Sequence, residues 1–160
     1  MKAIKPSLLP HLVTLYNVFI SPATGEPFYF RTFLKRTRIM SLSSTVHVAT
    51  IGWTRAVTSA LLVDPRTTQG YRHDTNGIRI AKKYIDPPAW DALSDEDKER
   101  FWALREGDFI VHLANNGECM IETPDPANVE FQRLSPRKIQ SIKPEFDKKG
   151  RVHHWELGLV

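Results

Sequence analysis

Few residues in this chain have types and spacings that could carry a reaction, and they are scattered. The nearest approach to a metal cluster is His153-His154 with Glu156. Neighbouring residues of a strand point to opposite faces, so the two histidines are poorly placed to share one ion. His154 and Glu156 share a face, and His112 would join them if its strand paired there. Histidines at a sheet edge, with Val152 or Trp155 packed inward, account for the same pattern. Cys119 is the only cysteine. It would act as a nucleophile only beside a histidine and an orienting group. Nothing local supplies them, and a small buried apolar residue is the expected role. Asp86 and Asp91 could serve as general acids, but acids near a helix start are ordinary caps. Phosphate-loop, dinucleotide and nucleophile-elbow motifs are absent. No catalytic residue, metal or cofactor is expected, and the chain does not read as an enzyme.

A binding role is the stronger expectation. Residues Pro65 to Gly77, PRTTQGYRHDTNG, form a polar run rich in turn formers and read as a long loop. Ordinary connections span about 4–6 residues, so a loop this long is usually functional or disordered. Arg66, Thr67, Gln69, Tyr71, Arg72 and His73 are its candidate contacts to phosphate or to an acidic partner. A solvated, mobile loop is the bland alternative.

The elements that must hold such a loop are mostly strands. Leu12–Phe19 is rich in β-branched and aromatic residues, and Ser21–Pro27 is a turn leading to a second strand from Phe28. Thr45–Ile51 and Ala56–Val63 read as strands with a bend at Gly52-Trp53, a helix over Trp53–Leu62 being the competing assignment. Ile78–Ala81, Asp108–Leu113, Glu118–Ile121, Val129–Leu134, Lys138–Phe146 and Val152–Val160 continue the series, with a hairpin at Asp147–Gly150. One helix is expected, Ser94 to Leu104, opened by a capping-box-like Ser94 and Asp97 and by acids in its first turn. Trp90, Phe101 and Trp102 around it could stack bases, but their acidic neighbours would repel phosphate. Core packing is expected for them, and for Trp155. The fold class is mainly β, a small antiparallel barrel or sandwich with one short helix inserted between strands.

At 160 residues the chain suits a single domain, 1–160, with an N-terminal arm over 1–10 broken by Pro6 and Pro10. With 41% hydrophobic and 10% aromatic residues it can bury a core. No stretch reaches the ~20 apolar residues of a membrane helix, and no membrane role or signal peptide is expected. The charge is bipolar. Residues 1–83 hold 12 Lys/Arg against 3 Asp/Glu, residues 84–132 hold 3 against 12, and residues 133–160 hold 7 against 3. That pattern disfavours coating of nucleic acid by the whole surface. It suits self-complementary contacts, with Asp91, Asp95, Glu96 and Glu99 as an acidic inter-subunit face.

Five short stretches carry a family resemblance: Thr14–Phe19 (TLYNVF), Phe28–Thr32 (FYFRT), Ile85–Trp90 (IDPPAW), Trp102–Val111 (WALREGDFIV) and His153–Gly158 (HHWELG). In this order they resemble the minor capsid proteins of tailed bacteriophages. The resemblance implies a structural virion protein of the head-to-tail neck, a head-completion or stopper subunit assembled in the bacterial host cytoplasm. It implies a homo-oligomeric ring of roughly six- or twelve-fold symmetry. Adaptor and portal proteins would lie above it, tail proteins below, and packaged double-stranded DNA in the channel. The 65–77 loop is then expected to face that channel. A tail-terminator or tail-completion ring is the alternative within virions. Outside them, a small nucleic-acid-binding barrel using Trp53 or Tyr71 for stacking fits the basic N-terminal half.

Overall fold

The structure, a computed structural model, describes the backbone of residues 3–48 and 52–160 and the side chains outside 42–58. Nine strands form one sheet: β1 (His11–Ile20), β2 (Pro27–Val48), β3 (Gly52–Val63), β4 (Gln69–His73), β5 (Arg79–Tyr84), β6 (Phe101–Trp102), β7 (Phe109–Val111), β8 (Arg137–Phe146) and β9 (Val152–Leu159). Their order is β1-β7-β8-β9-β3-β2-β4-β5-β6, and β2 also pairs with β1. Six strands thereby close on themselves, and β4, β5 and β6 extend from the wall beyond β2. The mainly β, barrel-like architecture expected from the sequence is the one observed.

Alternation builds the barrel. Val13 and Leu15 of β1 face inward with Leu34, Leu61, Val63, Ile110, Ile139, Leu157 and Leu159. Tyr16 faces the other way, into a second cluster with Val111, Cys119 and Phe131. Trp102 and Leu104 complete the inner cluster, and Phe30 with Trp90 and Ala103 forms a third. Trp155 packs against the inner cluster, and Phe101 packs against the third. Trp90 and Trp102 are fully buried, and Phe101 and Trp155 are partly buried against the clusters.

β2 runs for 22 residues because a bulge lets it change partners. Arg36 sits at φ 60°, where the β1 register slips between His11 and Leu12. Beyond it, the Ile39 amide donates to His11 Nδ1 (2.9 Å) while Ile39 pairs with Leu61 of β3.

Turn chemistry decides the hairpins. In the β8–β9 turn, Asp147 Oδ1 accepts the amides of Lys149 (2.8 Å) and Arg151 (3.0 Å), and Gly150 takes φ 75°. In the β4–β5 turn, Asp74 Oδ1 accepts from the amides of Asn76 and Ile78, both at 2.8 Å.

Several expectations fail. The helix over Ser94–Leu104 is one short helix, α2 (Asp95–Lys98), followed by β6, and a separate short helix, α1 (Pro87–Asp91), precedes it. Ser94 does cap α2, accepting the Asp97 amide at 3.2 Å. The helix stops because β6 pairs in parallel with Lys83-Tyr84, which drives Trp102 into the core. Val129–Arg133 is a third helix, α3, rather than a strand. The Asn128 side chain caps it, and it buries Phe131 against the Tyr16 ring at 5.9 Å. Glu118–Ile121 forms no strand. The run over 65–77 is no long loop either, since β4 occupies its centre. The helix alternative for Trp53–Leu62 also falls, as those residues lie in β3. Residues 49–51, the end of the strand expected over Thr45–Ile51, and the Trp53 side chain, with its suggested stacking role, lie outside the described residues.

Candidate functional site

The segment singled out in the sequence becomes part of a sheet face. On β2, Arg31, Phe33 and Lys35 point to one side, as do Gln69, Tyr71 and His73 on β4 and Arg79, Ala81 and Lys83 on β5. The register aligns them: Phe33 pairs with Tyr71 and Tyr71 with Ala81, Lys35 with Gln69, and His73 with Arg79. The middle row is apolar and the outer rows are cationic or polar.

The cations roof the rings. Arg31 Cζ lies 5.0 Å from the Phe33 centroid, while Lys35 Nζ and Arg79 Cζ lie 5.1 Å and 4.7 Å from that of Tyr71. Phe33 and Tyr71 are accordingly buried, at 1% and 6% exposure. Burial, and then the Glu118 carboxylate, push the Tyr71 phenol up to about 12. Glu118 also receives His73 Nε2 at 2.5 Å. Neither aromatic ring offers a free face, so the stacking role suggested for Tyr71 is not available.

Lys35, Arg79 and Lys83 form no ion pair among the described residues. They border a groove of about 730 Å³ whose lining contains no acidic residue.

The opposite face of β4–β5 is structural. Gly70 lies against Trp102, closely enough that a Cβ there would meet the indole Nε1 at 2.4 Å. Lys82 is buried, its Nζ donating to the Arg31 carbonyl at 3.4 Å. Burial pulls its amine down to about 8, with Glu99 acting the other way. Arg72 alternates to this face, and its Nε is buried without a hydrogen-bond partner among the described residues.

The six residues expected to line a loop therefore separate. Gln69, Tyr71 and His73 lie on the cationic face and Arg72 lies on the other. Arg66 is committed elsewhere, with Nε on Asp64 Oδ1 at 3.0 Å and Nη2 on the His153 carbonyl at 2.7 Å. Thr67 is buried, its hydroxyl donating to the Ile4 carbonyl at 2.8 Å. That bond and the Ile4 amide on Asp64 Oδ2 (2.9 Å) tie down the N-terminal arm.

The sequence reasoning passed over Lys35, Arg79 and Lys83. Their signal was present, as cations alternating with Phe33 in RTFLK and with Ala81 in RIAKK. Only the pairing of β2 with β4 and of β4 with β5 brings them together.

The other candidates stay apart. His112 packs on His11, with ring centroids at 5.0 Å, rather than joining His154. His153 and His154, expected on opposite faces, bring their Nδ1 atoms to 2.8 Å, and His154 Nε2 lies 3.8 Å from Glu156. Among the described residues no group of three His, Cys, Asp or Glu side chains is placed to hold a metal ion. Cys119 is buried and its sulfur accepts the Tyr16 hydroxyl at 3.2 Å. The acidic face is partly neutralised within the chain. Asp91 pairs with Arg105 at 3.2 Å and Glu96 with Arg100 at 3.2 Å. Asp95 and Glu99 form no ion pair among the described residues.

A family profile described as "Family of unknown function (DUF6751)" matches residues 9–159, from Leu9 before β1 to Leu159 at the end of β9. The chain belongs to that family. The match covers all nine strands, so the DUF6751 unit here is the closed barrel together with its β4–β6 extension. No curated protein and no solved structure matches the chain.

Proposed function

We propose that this chain is a structural, ring-forming subunit of the head-to-tail neck of a tailed-bacteriophage virion, acting in head completion. The place in the neck rests on the sequence resemblance, and the observation that supports ring formation is the ribbon formed by β2 and β3. β9 pairs with β3 only over Ser59–Val63, whereas the β2–β3 pairing continues from Leu42↔Thr58 to Val48↔Gly52. Those seven rungs extend about 23 Å beyond the three-strand region at roughly 3.3 Å per residue.

A two-stranded ribbon is marginal in water by itself, and its unpaired edges invite another chain. The ribbon sequence, LSSTVHV and GWTRAVT, holds one Lys or Arg and no acid, few of the charges that usually guard an edge. In a ring, each subunit offers one surface to a different surface of its neighbour. A ribbon extending from a closed barrel suits that geometry. No helix is long and apolar enough to cross a membrane among the described residues.

The purified chain should form rings visible in negative stain. Replacing residues 44–56 with a short Asn-Gly turn should leave a folded monomer. Antibody labelling of virions that carry the chain should mark the neck. Rings that persist without the ribbon, or labelling of capsid faces or tail fibres, would sink the proposal. Labelling at the far side of the neck joint would favour the tail-terminator alternative.

A further inference from the structure

We infer that the cationic face of β2–β4–β5 is a binding surface for the phosphate backbone of double-stranded DNA. Three observations point there. First, Lys35, Arg79 and Lys83 converge on one groove, carry no carboxylate partner among the described residues, and share a lining without acids. Single cations without an ion pair occur elsewhere among the described residues, so the convergence of three on one acid-free groove is the distinguishing feature.

Second, the strands space the charges. Lys35 and Lys83 stand on β2 and β5 with β4 between them, about 10 Å apart at the usual strand separation. Arg79 lies four residues before Lys83 on the same strand face. The cations therefore stand apart along the groove rather than closing around one small anion.

Third, the aromatic floor is closed. The Phe33 and Tyr71 rings are already covered by Arg31, Lys35 and Arg79, so bases cannot stack on them. What remains accessible is charge, which reads backbone and not sequence. A second copy's acidic surface is a poorer match, since two of the four acids of that face, Asp91 and Glu96, are already paired within the chain and only Asp95 and Glu99 remain. The face does not depend on a place in the neck, and its test is independent of ring formation.

The test measures fluorescence anisotropy of a labelled random-sequence duplex of about 30 base pairs between 50 and 200 mM salt, with single-stranded DNA of the same length alongside. Three phosphate contacts predict a log–log salt slope near −3 for the duplex. The triple variant Lys35→Ala/Arg79→Ala/Lys83→Ala should lose at least about tenfold in affinity at 50 mM salt, with its slope falling toward zero. A charge-matched control, Arg133→Ala/Lys148→Ala/Lys149→Ala, should bind like the parent.

The inference is overturned if the parent shows no duplex binding at the lowest salt, or if both triple variants lose affinity equally. Tighter binding of single strands than of duplex would also overturn it, by making stacking the source of affinity. Sedimentation of the same samples provides one further arm. Self-association of the parent that the first triple variant alone abolishes would assign the face to a second copy.

Discussion

The Asp108 carboxylate accepts the Asn17 side-chain amide at 2.6 Å, joining β1 to the turn before β7 inside the protein. The same carboxylate takes the Val18 amide at 2.9 Å, and Arg105 Nη1 stands 3.9 Å away. Asn17 also donates to the Ala103 carbonyl at 2.8 Å. One buried polar pair thus links the first strand to the chain on both sides of Gly107. Burial is the dominant influence on Asp108. It raises the carboxyl to about 7 against the hydrogen bonds and Arg105, which act to lower it.

A carboxyl raised in the folded state stabilises the fold in its protonated form. The contribution is complete below the unfolded value of 3.8 and is lost as pH rises through about 7. Melting temperature should therefore fall between pH 5 and pH 8. Asp108→Asn should flatten that dependence, matching the parent near pH 5 and exceeding it near pH 8. Thermal melts of both proteins across that range check this. Parallel curves would show that Asp108 does not control the slope.

Gly70 has no room for a side chain. A methyl group would sit 2.4 Å from Trp102 Nε1 and 2.6 Å from its Cδ1, in a core where neither β4 nor β6 can retreat without losing its pairing with β5. Gly70→Ala should cost about 1–3 kcal/mol by urea denaturation. Adding Trp102→Phe should recover part of that loss, because the clash belongs to the pair. Purely additive effects would contradict the close approach.

Asp64 should matter to the N-terminal arm more than to the barrel. Burial disfavours its charge, but bonds from Arg66 and from the Ile4 amide outweigh that and hold the carboxyl below its usual value. Its contribution is thus present above pH ~4 and is lost as the pH falls through the depressed value. Asp64→Ala should cost about 1–3 kcal/mol at neutral pH. The Ile4 amide should then exchange with solvent much faster than the β1 amides do. Unchanged protection of Ile4 would show that the arm is held by other contacts.

Much of the architecture was legible in the sequence because the signals are local. Period-two alternation marks β1 around Val13 and Leu15. Asp147 with Gly150 announces a hairpin through its own side chain, and Ser94 caps the turn that follows it. The charges of α1 and α2 are likewise plain to read, although their internal pairing with Arg100 and Arg105 is not.

Tertiary pairing decided the rest, against equally local signals. Phe101 and Trp102 continue a helical pattern, yet Trp102 is buried more completely as a strand residue beside Tyr84. Val129–Phe131 alternates like a strand, yet Asn128 caps it as a helix that delivers Phe131 to Tyr16. Residues 69–73 look like loop because their side chains are polar, and strand pairing to Phe33–Lys35 makes them sheet. The cationic face follows the same rule. Each of its strands carries a modest alternation of charge, but the convergence of Lys35, Arg79 and Lys83 is a matter of register. Register is set by contacts between segments far apart in the chain, which no local window of residues contains.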